Sequence, residues 1–312
     1  MSETVNPAPG SFEIGPLSMA ETLDVGFQLL KSHFTVLGVL SLLGQAPTIL
    51  VFMLFGWMLD PFAFQNGELP DVGAAVVVGV ALWMLAMLVL LPLVIGAITS
   101  VVSDIYLGAE VSVPRALQRG LERMFPLMLT YLIFSLILVV AMGLVVFAVV
   151  LVFVALAGVF QGSAAGVVMV ILLVLVAVPA VFALGGLLTL VPGVLAAVVV
   201  LEGISYFEAV ARTWALVSAA LSRFIGLGLV IYMLLLILPT GVQFMVGSIP
   251  VVGAVVWGIV QALCQAYLYA TTIVAYFDVR CRLESFDLEH LAQLVEGEGV
   301  GAMPPAGGLP GR

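Results

Sequence analysis

Three arginines, Arg115, Arg119 and Arg123, recur at intervals of four, which sets them in one column along a helix. Guanidinium groups in that register suit phosphate oxygens, and each charge is worth about 1 kcal/mol beside an anionic lipid surface; the amphipathic segments that include them equally fit structural braces lying in the interface. A second pattern is polar but uncharged. Gln261, Gln265, Tyr269, Thr272 and Tyr276 form a stripe within an otherwise apolar stretch. Such a stripe fits a path for a polar substrate, and it equally fits hydrogen bonds that tie helices together in lipid. Ser41, Gln45 and Thr48 pose the same alternatives earlier in the chain.

Enzyme chemistry finds no comparable set. Asp60, Glu68 and Asp71 lack a histidine partner and metal-ligand spacing, and His33 and His290 are far apart in sequence. Cys264 and Cys281 follow no disulfide or metal pattern. The turn from Gly158 to Gly162 has neither the strand nor the lysine of a phosphate loop. No catalytic residue, cofactor site or metal site is expected. A net charge of −9 removes the electrostatic basis for a nucleic-acid partner.

The elements that must carry these residues follow from composition. Of 312 residues, 63% are hydrophobic and 9% charged, against about 25% charged in soluble chains. That leaves too little polar surface for a soluble fold. Six apolar stretches run over about 34–59, 72–106, 124–157, 165–201, 224–246 and 251–279. Each exceeds the ~20 residues that cross a ~30 Å hydrocarbon core as a helix. Runs this continuous predict helices, because barrel strands alternate over about ten residues. The stretches expected as spans two, three and four are longer than one crossing needs. They must tilt, project or break, with Pro92, Pro179, Pro192 and the Gly185-Gly186 pair as expected break points. The first seventeen residues hold Glu3 and Glu13 but no Lys or Arg, so the first span is expected to drive insertion.

Charge placement sets the threading. Lys31, Arg115, Arg119, Arg123, Arg212, Arg223, Arg280, Arg282 and Arg312 all fall on one side of a six-span chain. The opposite loops, about 60–71, 158–164 and 247–250, contain none. Positive residues near span ends stay in the cytoplasm, so both termini are expected there. Three crossings within the uncharged region before Glu202 would carry Arg212 and Arg223 outside and spoil the pattern.

An amphipathic segment precedes every second span. Met19, Leu23, Phe27 and Leu30 oppose Glu21, Asp24, Gln28 and Lys31. Val113, Leu117, Leu121 and Met124 oppose Arg115, Gln118, Arg119 and Glu122, and Phe207, Val210, Trp214 and Val217 oppose Glu208 and Arg212. Ser18 with Glu21 and Ser205 with Glu208 fit capping boxes. The expected fold is therefore all-α and integral to a membrane: six transmembrane helices in three parallel repeats, each an interfacial helix plus a hairpin. Its divisions are a disordered tail over 1–15 and a membrane domain over 16–283. That domain holds repeats at about 16–106, 111–201 and 204–283. An amphipathic helix over 284–296 and a disordered tail over 297–312 complete it. Ala254, Gly258, Ala262, Ala266 and Ala270 give span six a small-residue face for close packing. Span interiors lack ionisable residues, while Asp104, Glu202 and Asp278 stand near the cytoplasmic ends of spans two, four and six. That disfavours an ion-coupled pump.

The run Leu201-Glu202-Gly203, followed by Ser205, Glu208, Arg212-Thr213-Trp214 and Leu216, resembles the glycerophosphoryl diester phosphodiesterase membrane domain and its bacterial relatives. The closing Tyr276-Phe277-Asp278, Arg280 and Arg282, then Phe286-Asp287-Leu288-Glu289, are similar to the end of those proteins. After Arg212 the chain departs from the family pattern, with Ala220-Leu221-Ser222-Arg223-Phe224 where Gly-Arg-Phe or Gly-Arg-Trp is usual. The resemblance implies six helices in a bacterial cytoplasmic membrane, with no catalysis of their own. In that family the reaction belongs to a separate metal-binding barrel domain, and none is expected after span six. The expected role is a non-catalytic inner-membrane protein, lipid-associated or scaffolding, with membrane lipids as partners. The alternative is a transporter or flippase for a lipid or small amphiphile, moving along the stripe on span six.

Overall fold

The computed structural model describes residues 15–55, 74–109, 111–160, 164–246 and 249–288. Most of these are helical and none is in a strand. The helices are α1 (Met19–Ser32), α2 (Phe34–Phe55), α3 (Ala74–Tyr106), α4 (Val113–Phe160), α5 (Ala164–Ala197), α6 (Tyr206–Ala219), α7 (Leu221–Val246) and α8 (Pro250–Glu284). A π-helical turn, Val198–Glu202, continues α5. Six of these helices, α2 to α5, α7 and α8, are long and apolar enough to cross a membrane. The chain is accordingly a multi-pass membrane protein. The expected tails, the outer loop at 60–71 and most of the segment 284–296 lie outside the described residues.

Helices α3, α5 and α8 pack against one another at the centre. Around them, α2 lies against α8 and α3, α4 lies against α3, and α7 lies against α5 and α8. Each inner helix thus supports the outer helix that follows it, and α8 closes the circuit by supporting α2.

Small residues allow this closeness. A Cβ at Gly120 would stand 2.6 Å from the Leu93 carbonyl oxygen, and one at Gly186 would stand 2.6 Å from the Leu229 nitrogen. Along α8, Ala254, Ala262, Ala266 and Ala270 are buried, and Gly258 abuts Ile49. In lipid no hydrophobic driving force presses helices together, so such close packing carries the association. Bulky residues face the other way. Leu136, Leu144 and Phe147 of α4 and Leu175 and Val176 of α5 are exposed, a surface suited to hydrocarbon and unsuited to water.

Four local expectations are corrected. Helices α3 and α5 run through Pro92, Pro179 and Pro192 without a break, since neighbouring helices can support the freed backbone groups. The departure from α geometry comes instead at Val198–Glu202, closed by Gly203 at φ +74°, a left-handed conformation cheap only for glycine. The amphipathic segment before the third span is continuous with it, giving one 48-residue helix of about 70 Å at 1.5 Å per residue. The capping box forms at Ser18, whose hydroxyl accepts from Glu21 N at 3.2 Å while Glu21 Oε2 accepts from Ser18 N at 2.6 Å. It does not form at Ser205. There the next amide, Tyr206 N, donates instead to Thr130 Oγ1 at 2.8 Å.

The amphipathic segments also bury a face offset from the expected apolar one, with Leu30 and Val217 shared by both. Counting from Ser18, Ser112 and Ser205, the fourth residues are Thr22, Ala116 and Ala209, and the eighth are Gly26, Gly120 and Thr213; all six are buried. Met19, Phe27, Leu121, Phe207 and Trp214 are exposed. Helices α1 and α6 therefore have three sides rather than two: small residues together with Leu29, Leu30, Leu216 and Val217 toward the bundle, charges outward, and the other large apolar groups exposed.

Candidate functional site

The three carboxylates near the ends of the inner helices organise one charged end of the molecule. Asp278 on α8 is fully buried. Its Oδ1 accepts from Leu17 N at 2.6 Å, and its carboxylate meets Arg223 Nε at 3.0 Å and Arg282 Nε at 3.2 Å. The same two arginines donate to the Leu17 carbonyl at 2.6 and 2.7 Å. A buried charge is tolerable only when paired and hydrogen-bonded, and here every carboxylate oxygen has a donor.

Glu202, at the close of the π-turn, accepts from Arg212 Nε at 2.9 Å and from the Tyr276 hydroxyl at 2.7 Å. Arg212 also bonds Glu284, which is held in turn by Arg280 Nε at 2.8 Å. Arg280 lies over the Phe286 ring, 4.6 Å from its centroid. Hydrogen bonding to Glu202 first, with Glu284 adding to it, raises the Arg212 guanidinium above its ordinary range despite partial desolvation. Asp104, on α3, accepts from Arg119 at 2.6 Å. At Glu21 the backbone and hydroxyl of Ser18 hold the carboxyl below its ordinary value.

Between these groups, α3, α4 and the π-turn enclose an open cleft of about 280 Å³ lined by Ser100, Asp104, Arg119, Glu122, Arg123, Val200 and Leu201. The arginine column is thus split by its surroundings. Arg119 is committed to Asp104, Arg123 enters the cleft, and Arg115 is exposed outside it. Neither Arg115 nor Arg123 forms an ion pair among the described residues.

The polar stripe on α8 divides too. Tyr276 serves Glu202, Thr272 donates to the Leu268 carbonyl at 2.7 Å, and Tyr269 is buried. A Cβ at Gly193 would come within 2.6 Å of Thr272 Cγ2, so that part of the stripe is packed. Gln261 and Gln265 are half-buried. On α2, Ser41 and Gln45 are buried, and Thr48 accepts from Trp83 Nε1 at 3.3 Å. Among the described residues no group of His, Cys, Asp and Glu is placed to hold a metal ion.

Sequence reasoning missed the cleft, although one signal pointed toward it. Asp104 and Glu202 each precede a serine-led helix that carries an arginine seven residues after the serine, Arg119 and Arg212. Both of those acid–arginine pairs form. No family model, curated protein or solved structure matches the chain.

Proposed function

We propose that the protein is a non-catalytic component of the bacterial cytoplasmic membrane that holds phospholipid headgroups at its charged end and scaffolds the surrounding leaflet. The carrying observation is the state of the arginines. Arg119, Arg212, Arg223, Arg280 and Arg282 are neutralised by carboxylates, whereas Arg115 and Arg123, without an ion pair among the described residues, offer guanidinium groups near exposed apolar side chains such as Leu121 and Phe125. Charge next to apolar bulk is the chemistry of a lipid interface. Purification from bacterial membranes followed by native mass spectrometry tests it. Arg115→Gln/Arg123→Gln should carry away measurably less phospholipid than the wild-type chain, and equal amounts would refute headgroup contact.

In this reading the charged end faces the cytoplasm, both termini lie there, and the chain is built of three parallel helix-plus-hairpin units. The circular packing of α3 on α4, α5 on α7 and α8 on α2 supports three equivalent units. So does the buried small pair at matching places in α1, α4 and α6. Kinship with the phosphodiesterase membrane-domain family is part of the same proposal. It is supported by the physical work of the resembling motif, in which Glu202 binds Arg212 and Gly203 takes the left-handed turn.

A transporter or flippase is the second reading, favoured by half-buried Gln261 and Gln265 on α8. Reconstituted vesicles with a fluorescent lipid decide it, since faster lipid exchange that Gln261→Leu/Gln265→Leu removes would establish transport.

A further inference from the structure

The cleft between α3, α4 and the π-turn is electrically balanced: Arg119 and Arg123 bring two positive charges, Asp104 and Glu122 two negative ones. A bare anion entering it would meet carboxylates as well as guanidinium groups, and so gains little from the site as a whole. Within that balance two groups of opposite sign are left over. Arg119 and Asp104 satisfy each other at 2.6 Å. Among the described residues Arg123 has no ion pair and Glu122 is held only by the Gln118 amide at 3.3 Å. One uncommitted cation and one uncommitted anion line the same small space. Their complement is a ligand that carries a phosphate and an amine on a short spacer.

We propose that this cleft binds a zwitterionic phospho-amino-alcohol, its phosphate on Arg123 and its ammonium on Glu122, with Val200 and Leu201 as the apolar wall. The volume agrees. At about 280 Å³ it is just under the ~300–1,000 Å³ that takes a drug-sized ligand, so it admits a headgroup and leaves any acyl chains in the bilayer. The inference rests on the headgroup reading above and narrows it from phospholipids in general to amine-bearing ones. The same chemistry is carried by a phosphatidylethanolamine headgroup and by soluble glycerophosphoethanolamine.

The full chain, delipidated in detergent, is offered equal amounts of phosphatidylethanolamine and phosphatidylglycerol and read by native mass spectrometry. The ethanolamine lipid should be preferred, and Arg123→Gln should weaken it about tenfold, which is about 1.4 kcal/mol. Glu122→Gln should reverse the preference toward phosphatidylglycerol, because the ammonium loses its partner while both arginines remain. Lys31→Gln, an exposed basic residue outside the cleft, should leave the selectivity unchanged, and thermal unfolding of each variant checks that the fold is intact. A wild-type preference for phosphatidylglycerol that Arg123→Gln abolishes overturns the zwitterion assignment and leaves the headgroup reading standing. Lipid binding indifferent to Arg123→Gln and Arg115→Gln alike overturns both. Glycerophosphoethanolamine added as competitor separates the sources: displacement of the lipid assigns a soluble ligand, its persistence assigns the lipid, and either supports the shared chemistry.

Discussion

The Leu17 backbone N–H donates to Asp278 Oδ1 at 2.6 Å, joining the residue ahead of the first helix's N-cap to the last turns of α8 across 261 positions of sequence. Arg223 and Arg282 bind both the Asp278 carboxylate and the Leu17 carbonyl. Neither end of the described chain is therefore a loose strand of the bundle. The helix that begins at Met19 enters the structure already fastened to the helix that ends at Glu284.

Asp278→Ala removes the only carboxylate that Arg223 and Arg282 pair with among the described residues. Breaking one side of a buried ion pair costs about 3–5 kcal/mol, mostly because the remaining charge stays buried. A marked fall in melting temperature in detergent is expected, with a smaller loss for Arg282→Ala, since Arg282 is the more exposed partner. A melting temperature equal to that of the wild-type chain would remove Asp278 from any part in closing the bundle.

Gly120→Val tests the close approach of α4 to α3. The new Cβ would stand 2.6 Å from a backbone oxygen and 3.0 Å from a backbone nitrogen, neither of which can swing aside as a side chain would. Overpacking of this kind costs about 1–3 kcal/mol, and more when the backbone must move. Gly38→Ala, where nothing lies within 4 Å, is the matched control and should change little beyond helix propensity. Fluorescence-detected size exclusion distinguishes the two, and comparable monodispersity would contradict tight α3–α4 packing.

How much of this was legible in the sequence differs by scale. Six apolar helices could be read because lipid forces long uninterrupted runs, which survive every local detail. The small-residue face of α8 could be read for the same reason: spacing of four defines one side of a helix. Faces of the amphipathic helices could be read only in part, since Leu30 and Val217 of the expected apolar sides are buried while Met19, Phe27, Phe207 and Trp214 are exposed. A two-sided wheel offers Met19 and Phe27 as the buried side, but a helix at the junction of water, lipid and protein has three, and the bundle takes the Thr22–Gly26 side. The prolines misled because their cost is judged for an isolated helix, whereas a bundle can support the freed backbone groups. The sequence places Asp104, Glu202 and Asp278 near span ends but does not choose their partners. Which arginine each would choose depended on how the helices turn about the centre.

Glu21 gives the first helix a sensitivity to acid. Hydrogen bonds from Ser18 hold its carboxyl below the ordinary value of 4.5. The folded form therefore favours the ionised carboxylate. Its contribution is fully present above pH 4.5 and is lost as pH falls through the lower folded value. Protection of the α1 amides, corrected for the intrinsic pH dependence of exchange, should fall below that point in the wild-type chain. Glu21→Gln should flatten this pH dependence while raising exchange at neutral pH, and an unchanged profile would detach the capping carboxylate from the stability of α1.

Threading through the membrane can be read with two introduced thiols, because the native ones interfere little: Cys264 and Cys281 are buried. Gln118 on the exposed face of α4 belongs to the charged end, near Arg119, and Ile249 lies exposed between α7 and α8 at the other. Arginine costs about 2.5–3.5 kcal/mol at the centre of a spanning helix, and in the proposed orientation the arginine-rich end faces the cytoplasm. A membrane-impermeant maleimide applied to intact cells should label Ile249→Cys and spare Gln118→Cys. Inside-out vesicles should show the reverse. Labelling of both from one side would mean that the two ends of α4 and α8 do not face opposite compartments, which no bundle of six complete crossings permits.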